Sequence, residues 1–142
     1  MAKSLRGALR VPPGEPVDLA GLDSRATPLA PGGKKKTADA MSADGAELAR
    51  LQEALFASGD RRVLVVLQGM DTSGKGGVIE HVIGLVNPQG VHIHSFKKPT
   101  AQELRHHFLW RVRRALPEPG MIGIFDRSHY EDVLVVRVHR LA

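Results

Sequence analysis

Cysteine is absent from this 142-residue chain, which excludes a disulfide framework, a thiolate metal site and a thiolate nucleophile. Aromatic residues are scarce, at 4% with one tryptophan and one tyrosine, which argues against a stacking platform for single-stranded nucleic acid. No nucleic-acid partner is expected. No apolar run approaches the roughly 20 residues that a membrane-crossing helix needs, and the first thirteen residues contain no continuous apolar segment of a secretory leader. A cytoplasmic protein without a membrane partner is therefore the expectation.

What is present is basic. Twenty Lys and Arg stand against 15 Asp and Glu, a formal charge of +5, with seven histidines that add charge on mild acidification. Such a balance suits a polyanionic or phosphate-rich partner. At 42% hydrophobic and 25% charged, the chain has the composition of one globular domain, long enough to bury a real core.

The chain is organised around Val63–Gly76. Val63 to Leu67 are all apolar, which predicts a strand buried on both faces, as in a parallel sheet. Gly69 and Gly74-Lys75 then match the G-x-x-x-x-G-K spacing of a phosphate-binding loop, and a helical pattern begins at Gly77. The chemistry follows from the residue types. Glycines let backbone N–H groups turn toward an anion, a helix start adds partial positive charge, and Lys75 supplies a full one. Met70, Asp71, Thr72 and Ser73 fill the loop, and position 76 is Gly where the usual motif carries a magnesium-ligating hydroxyl. Asp71 inside the loop repels phosphate unless a divalent cation intervenes or the carboxylate orients an attacking oxygen. A turn-capping role for the same side chain is the alternative.

In order along the chain, residues 1–41 form a Pro/Gly-rich arm containing five of the nine prolines and the basic tract Gly32–Lys36. Lys34, Lys35 and Lys36 are either a solvated tail or a grip on a polyanion. A globular phosphate-loop domain is expected over 42–142. Its first helix is predicted to start at Ser42 as N-cap, with Leu48, Leu51 and Leu55 as its apolar stripe. Val78, Ile79, Val82, Ile83 and Val86 mark the next helix, which Asn87–Gly90 stops. Val91–Ser95 alternates as a short strand. Lys97 and Lys98 follow at the strand edge where open α/β sheets bind ligands, and are candidate phosphate contacts. Thr100–Glu103 reads as a capping box for a third helix to about Leu116, with Leu104, Phe108, Leu109, Val112 and Leu116 inward. Of its arginines, one or two are free to reach the site, and Arg111 is named among them. Met121–Asp126 is an apolar strand ending in an acid, the placement that holds magnesium in phosphate-loop enzymes. Arg127 beside it offers a cation for transferred-phosphate charge, and Val133–Leu141 reads as a fourth helix.

Five ordered stretches, Leu67–Gly77, Asn87–Gly90, Phe96–Thr100, Phe108–Arg111 and Phe125–Asp132, resemble the motifs of the polyphosphate kinase 2 family. The resemblance implies a three-layer α/β/α phosphate-loop fold similar to thymidylate kinase, with a parallel sheet. It implies transfer of a terminal phosphoryl group between inorganic polyphosphate and a nucleoside di- or monophosphate, with magnesium, or manganese as the alternative divalent ion. By position, Gly69 to Gly76 would be the phosphate loop, Asp71 and Lys75 its chemical residues, Asp126 the second acid and metal ligand with Asp71, and Arg127 a cation at the transferred phosphate. Family members continue well past Asp126 with a basic helical lid and more sheet, so the chain corresponds to about the first half of the catalytic domain. Two alternatives stand beside this reading: an ATP-dependent nucleoside monophosphate kinase, and a truncated, non-catalytic phosphate-binding module. Homo-oligomers are also open, since an uncovered sheet edge favours association.

Overall fold

The computed structural model describes residues 4–23 and 25–131 together with 135, 138 and 140. These fall into two compact units, residues 1–42 and 43–142. In the first, helix α1 (Leu5–Leu9) starts at Ser4, whose Oγ accepts the Gly7 N–H at 3.1 Å. The described residues that follow, up to Gly33, have no sustained secondary structure, and Val11, Leu19 and Leu22 among them are exposed.

Helix α2 runs Lys34–Ser58, so it begins eight residues before the predicted start and Ser42 is not its cap. The Gly32–Lys36 tract forms the entry instead. Thr37 donates its N–H to the Gly33 carbonyl at 3.1 Å, and its hydroxyl turns back on the carbonyls of Gly32 and Gly33. The buried line of α2 is also shifted. Gly45 and Gln52 are buried and Leu48 and Leu55 half-buried, whereas Leu51 is 50% exposed. Positions 45, 48, 52 and 55 share one face at helical spacing, a face that the leucines alone mislocate because two of its members are Gly and Gln. Gly45, and Gly90 opposite Gln52, allow close approach. A Cβ at Gly45 would lie 2.6 Å from Leu85 Cδ1, and one at Gly90 would lie 2.8 Å from Gln52 Cδ.

Strands β1 (Val63–Leu67), β2 (Val91–Ser95) and β3 (Ile122–Asp126) form a parallel sheet in the order β1-β3-β2. This is the α/β architecture expected. The helices between parallel strands are the crossovers that such pairing requires. The fully buried strand is β3, from Ile122 through Phe125. In β1, Val63, Leu64 and Val66 are 44%, 40% and 44% exposed, contrary to the two-sided burial expected of it. Position explains the difference: among the described residues β1 has β3 as its single strand neighbour and its faces are covered only in part. Apolar composition reports that a strand is meant to be covered, not which residues cover it.

Phe125 packs edge-to-face on Phe96 at 4.8 Å between centroids, with Ala115 buried beside them and Val112 against the cluster. Helix α3 (Lys75–His81) is shorter than the apolar pattern suggested and gives way to a 3₁₀ turn at Ile83–Leu85, leaving Val78 exposed. Asn87 stops the segment as expected, its Oδ1 accepting the Gln89 N–H. The capping box at Thr100–Glu103 forms in both directions, but it opens a 3₁₀ turn, Glu103–Arg105, and not a long helix. His106 is extended, its ring stacked on Trp110, and His107 Nδ1 takes the Leu109 N–H, so a separate helix α4 (Leu109–Arg114) starts there. Leu104 and Phe108 are consequently exposed. The predicted fourth helix lies outside the described residues for most of its length. No described helix is long and apolar enough to cross a membrane.

Candidate functional site

The site grows from the strand ends. The parallel registers set Leu67, Asp126 and Ser95 in one row, the last residues of β1, β3 and β2. Beyond Leu67 the chain turns through the glycine loop. Thr72 and Gly74 both take left-handed backbone, at φ 64° and 92°, and Ser73 N–H closes a turn on the Met70 carbonyl at 3.2 Å. Glycine holds that conformation freely and threonine at a cost of about 1–3 kcal/mol. A Cβ at Gly69 would come 2.7 Å from Ser73 Oγ, so the loop's first glycine makes room for its own turn.

Lys75 opens α3 and folds back over the loop. Its half-buried ammonium donates to the carbonyls of Gly69 and Met70, each at 2.8 Å. Helix α3 has only seven residues, so its dipole is small and full side-chain charges dominate the field.

The second cation comes from the end of β3. Arg127 N–H bonds the Leu67 carbonyl at 3.0 Å, which continues the β1·β3 ladder by one step. Its φ of 69° then bends the chain out of the sheet. The two guanidinium arms are held differently. NH2 meets Asp71 Oδ1 at 2.5 Å, and NH1 meets Glu131 Oε1 at 2.6 Å. Glu131 Oε2 accepts the Gln68 amide at 2.7 Å, and Gln68 Oε1 accepts the buried Ser128 hydroxyl at 3.0 Å. Asp126 accepts the Ser95 hydroxyl at 3.2 Å.

Asp71, Thr72, Ser73, Gly74, Lys75, Gly76, Asp126 and Arg127 line one open cleft of about 380 Å³. All four residues expected to carry the chemistry thus meet, although Asp71 and Lys75 lie more than fifty positions from Asp126 and Arg127. Gly69 and Met70 contribute carbonyls to Lys75. Lys97 and Lys98 stand on the loop after β2 and do not line the cleft. Arg111 does not line it either. Its side chain, 10% exposed, donates to the Lys97 carbonyl at 2.6 Å, stacks over Phe96, and lies 3.9 Å from Glu103. The Thr100 N–H bond, more than the nearby guanidinium, holds the Glu103 carboxyl below its ordinary range. Desolvation, with His92 and Arg111 adding repulsion, pushes His94 down. Lys34, Lys35 and Lys36 are exposed in the first turn of α2.

Sequence reading missed Gln68, Ser95, Ser128 and Glu131. Glu131 stands four residues after Arg127, the spacing of a helical ion pair, and that was the available signal. The polar residues at the strand ends gave none.

The donor set would fit a divalent cation that keeps several of its waters. Two carboxylates, Asp71 and Asp126, face the cleft. No cluster of three or more His, Cys, Asp or Glu suited to a metal occurs among the described residues. Magnesium, which keeps several waters and shares phosphate oxygens, fits two carboxylates; an all-protein cage would not.

The model of the family described as Polyphosphate kinase 2 matches residues 33–142. The chain is 47% identical over 130 residues to an ADP-polyphosphate phosphotransferase of Rhodopseudomonas palustris, covering 92% of this chain and 45% of that protein. It is 48% identical over 132 residues to an AMP/ADP-polyphosphate phosphotransferase of Meiothermus ruber, covering 93% and 49%. The fold superposes on the crystal structure of polyphosphate kinase 2 from Arthrobacter aurescens TC1 with a TM-score of 0.83 and 49% identity, covering 95% of this chain and 48% of that one. The chain spans about half the length of these relatives.

Proposed function

The chain belongs to the polyphosphate kinase 2 family, and from that membership we propose that it acts in transfer of a terminal phosphoryl group between inorganic polyphosphate and a nucleoside di- or monophosphate. The observation that carries the reading is the convergence of Asp71, Lys75, Asp126 and Arg127 on one cleft. Phosphoryl transfer leaves the protein little covalent work, so catalysis reduces to positioning and charge. The attacking phosphate oxygen is already anionic near neutral pH and needs no general base. Lys75 and Arg127 supply two cations for charge that spreads over the transferred group, and transfer proceeds in line with no protein-bound intermediate. Asp71 and Asp126 would hold magnesium, which when bound neutralises phosphate oxygens that these carboxylates alone would repel. Lys34 to Lys36, Lys97 and Lys98 are assigned to a longer polyanion by charge alone. Arg111 acts through the Lys97 loop. A cytoplasmic location completes the reading, as does self-association, for which the half-exposed faces of β1 supply the physical motive.

The test is ATP formation from ADP and long-chain polyphosphate with magnesium by the purified 142-residue chain, with calorimetric titration of tripolyphosphate beside it. Turnover that falls by about 100-fold or more in Lys75→Ala is expected, the scale of losing a preorganised charge. A Lys75→Ala protein as active as its parent removes the assignment. ATP serving as donor in place of polyphosphate would give the ATP-dependent monophosphate kinase instead. Tripolyphosphate binding that needs Lys75, with no turnover, would refute catalysis by these residues alone and leave a phosphate-binding module.

A further inference from the structure

Arg127 is held by two carboxylates of unequal standing. Asp71 is 82% exposed at its side chain and sits on a loop; an exposed pair of this kind is screened by water and holds weakly. Glu131 is 23% exposed and is itself fixed at its other oxygen by Gln68 Nε2. Gln68 is fixed in turn by Ser128 Oγ, which also accepts the Tyr130 N–H at 3.2 Å where the next helical turn begins. Every polar atom of the Gln68 and Glu131 head groups that this relay needs has one partner, and the donor sense runs one way, from Ser128 to Gln68 and from Gln68 and Arg127 onto Glu131. Gln68 belongs to the β1 end and Glu131 to the segment after β3, so the relay joins the two halves of the cleft.

We propose that Glu131 and Gln68 are positioning residues that anchor the NH1 arm of Arg127, so that the NH2 arm alone exchanges Asp71 for a phosphate oxygen. The inference rests on the reading of Arg127 as a phosphate cation. Its consequence is directional. When an anion enters the cleft, the weak Asp71 contact yields and the Glu131 contact stays, so Arg127 meets phosphate without reorganising its side chain. Asp71 is released in the same event, free for the divalent cation that the donor set fits. Glu131 touches neither substrate nor reacting atoms in this scheme.

The relay makes a specific demand on donor sense. Glu131→Gln places an amide opposite the Gln68 amide and withdraws the charge that holds NH1, so the relay is weakened even where Gln68 turns over and Ser128 Oγ accepts from it. The double replacement Gln68→Glu with Glu131→Gln restores it with the donor sense reversed. The amide then at position 131 would donate to the carboxylate then at position 68, and its oxygen would still accept from Arg127. The experiment reads Arg127 guanidinium signals by nitrogen-15 NMR, assigned with Arg127→Lys, and tripolyphosphate affinity by calorimetry. Slowed guanidinium rotation is expected in the parent and in Asp71→Asn, and lost in Glu131→Gln. Affinity should fall about 10–100-fold in Glu131→Gln, the range that a misplaced positioning contact costs, and return to within a few-fold in the double variant. Glu131→Gln with unchanged rotation and affinity overturns the proposal. So does a double variant no better than the single one. If instead Arg127→Ala binds tripolyphosphate as the parent does, the phosphate role of Arg127 fails, and the NMR arm still decides whether Glu131 anchors it.

Discussion

Gly123 sits in the middle of the central strand, paired with Leu64 on one side and His92 on the other. A Cβ built there would lie 2.7 Å from both Cδ and Cγ of Pro117 and 3.0 Å from its Cβ. Neither party can give way. Pro117 is fully buried and its carbonyl accepts Arg62 NH1 at 2.8 Å, and its ring has no rotamer to swing aside. Strand β3 is locked in register on both edges. Gly123→Ala therefore forces overpacking with no soft neighbour, toward the upper part of the usual range of about 1–3 kcal/mol. For 142 residues at roughly 2.1 cal/mol/K of unfolding entropy per residue, about 2–3 kcal/mol lowers Tm by about 7–10 °C. Thermal melting followed by circular dichroism reads the shift, with Gly84→Ala as control, since a Cβ at Gly84 meets nothing within 4 Å. The control should hold or slightly raise Tm. A Gly123→Ala protein that melts with its parent would refute the claim that Pro117 fixes the sheet from this face.

Three further outcomes follow from single residues. Gly74→Ala puts a side chain on backbone at φ 92°, so it should cost about 1–2 kcal/mol and weaken tripolyphosphate binding measured by calorimetry, even though its Cβ has open space. His94 is pushed below its ordinary 6.5, chiefly by desolvation; the unfolded chain then binds the proton more readily than the fold does. Its contribution is thus fully present above about pH 6.5 and fades as pH falls through the lowered folded value, and urea midpoints of His94→Gln should show a flatter acid limb than the parent. Gly90→Ala drives a Cβ to 2.8 Å from Gln52 Cδ and should lower Tm, while Gly90→Ala with Gln52→Ala should recover part of the loss.

Legibility differed between site and fold for a physical reason. The loop spacing, the acid at the strand end and the arginine beside it are local patterns of residue type, and all of them line the one cleft. The cleft then depended on one long-range fact, that β1 and β3 pair in parallel, which two apolar runs separated by helical segments already suggest. Boundaries were less readable. Nothing in Gly32–Lys36 announces a helix entry, because three lysines oppose the dipole there, and the entry is made by the local bonds of Thr37 to Gly32 and Gly33. The α2 face was obscured by Gly45 and Gln52, chosen for the fit against Leu85 and Gly90, not for hydrophobicity. His106 and His107 broke the helix expected from the capping box because ring stacking and a ring nitrogen cap competed with helix continuation. The relay through Gln68 and Glu131 was invisible because its members are common surface residue types, and only their convergence gives them meaning.

The register ties core and site into one problem. Leu67, Asp126 and Ser95 stand in one row, and Asp126 is where β3 leaves the core. A slip of β3 by one residue would exchange its two faces, bringing Phe125 to the row and moving Asp126 off it. Phe125 is 1% exposed and packed on Phe96, while Ile124 is wholly buried on the alternate face. Both faces of β3 are buried, so the exchange would overpack one face and leave a void in the other, and overpacking alone costs about 1–3 kcal/mol before any hydrogen bond is lost. Asp126 and Arg127 are therefore aimed at the loop by the apolar residues that precede them. Phe125→Ala should accordingly damage tripolyphosphate affinity beyond what its lost stability explains, measured well below the melting temperature where the chain remains folded. An affinity unchanged under those conditions would mean that the Arg127–Leu67 backbone bond, and not the core, holds the register.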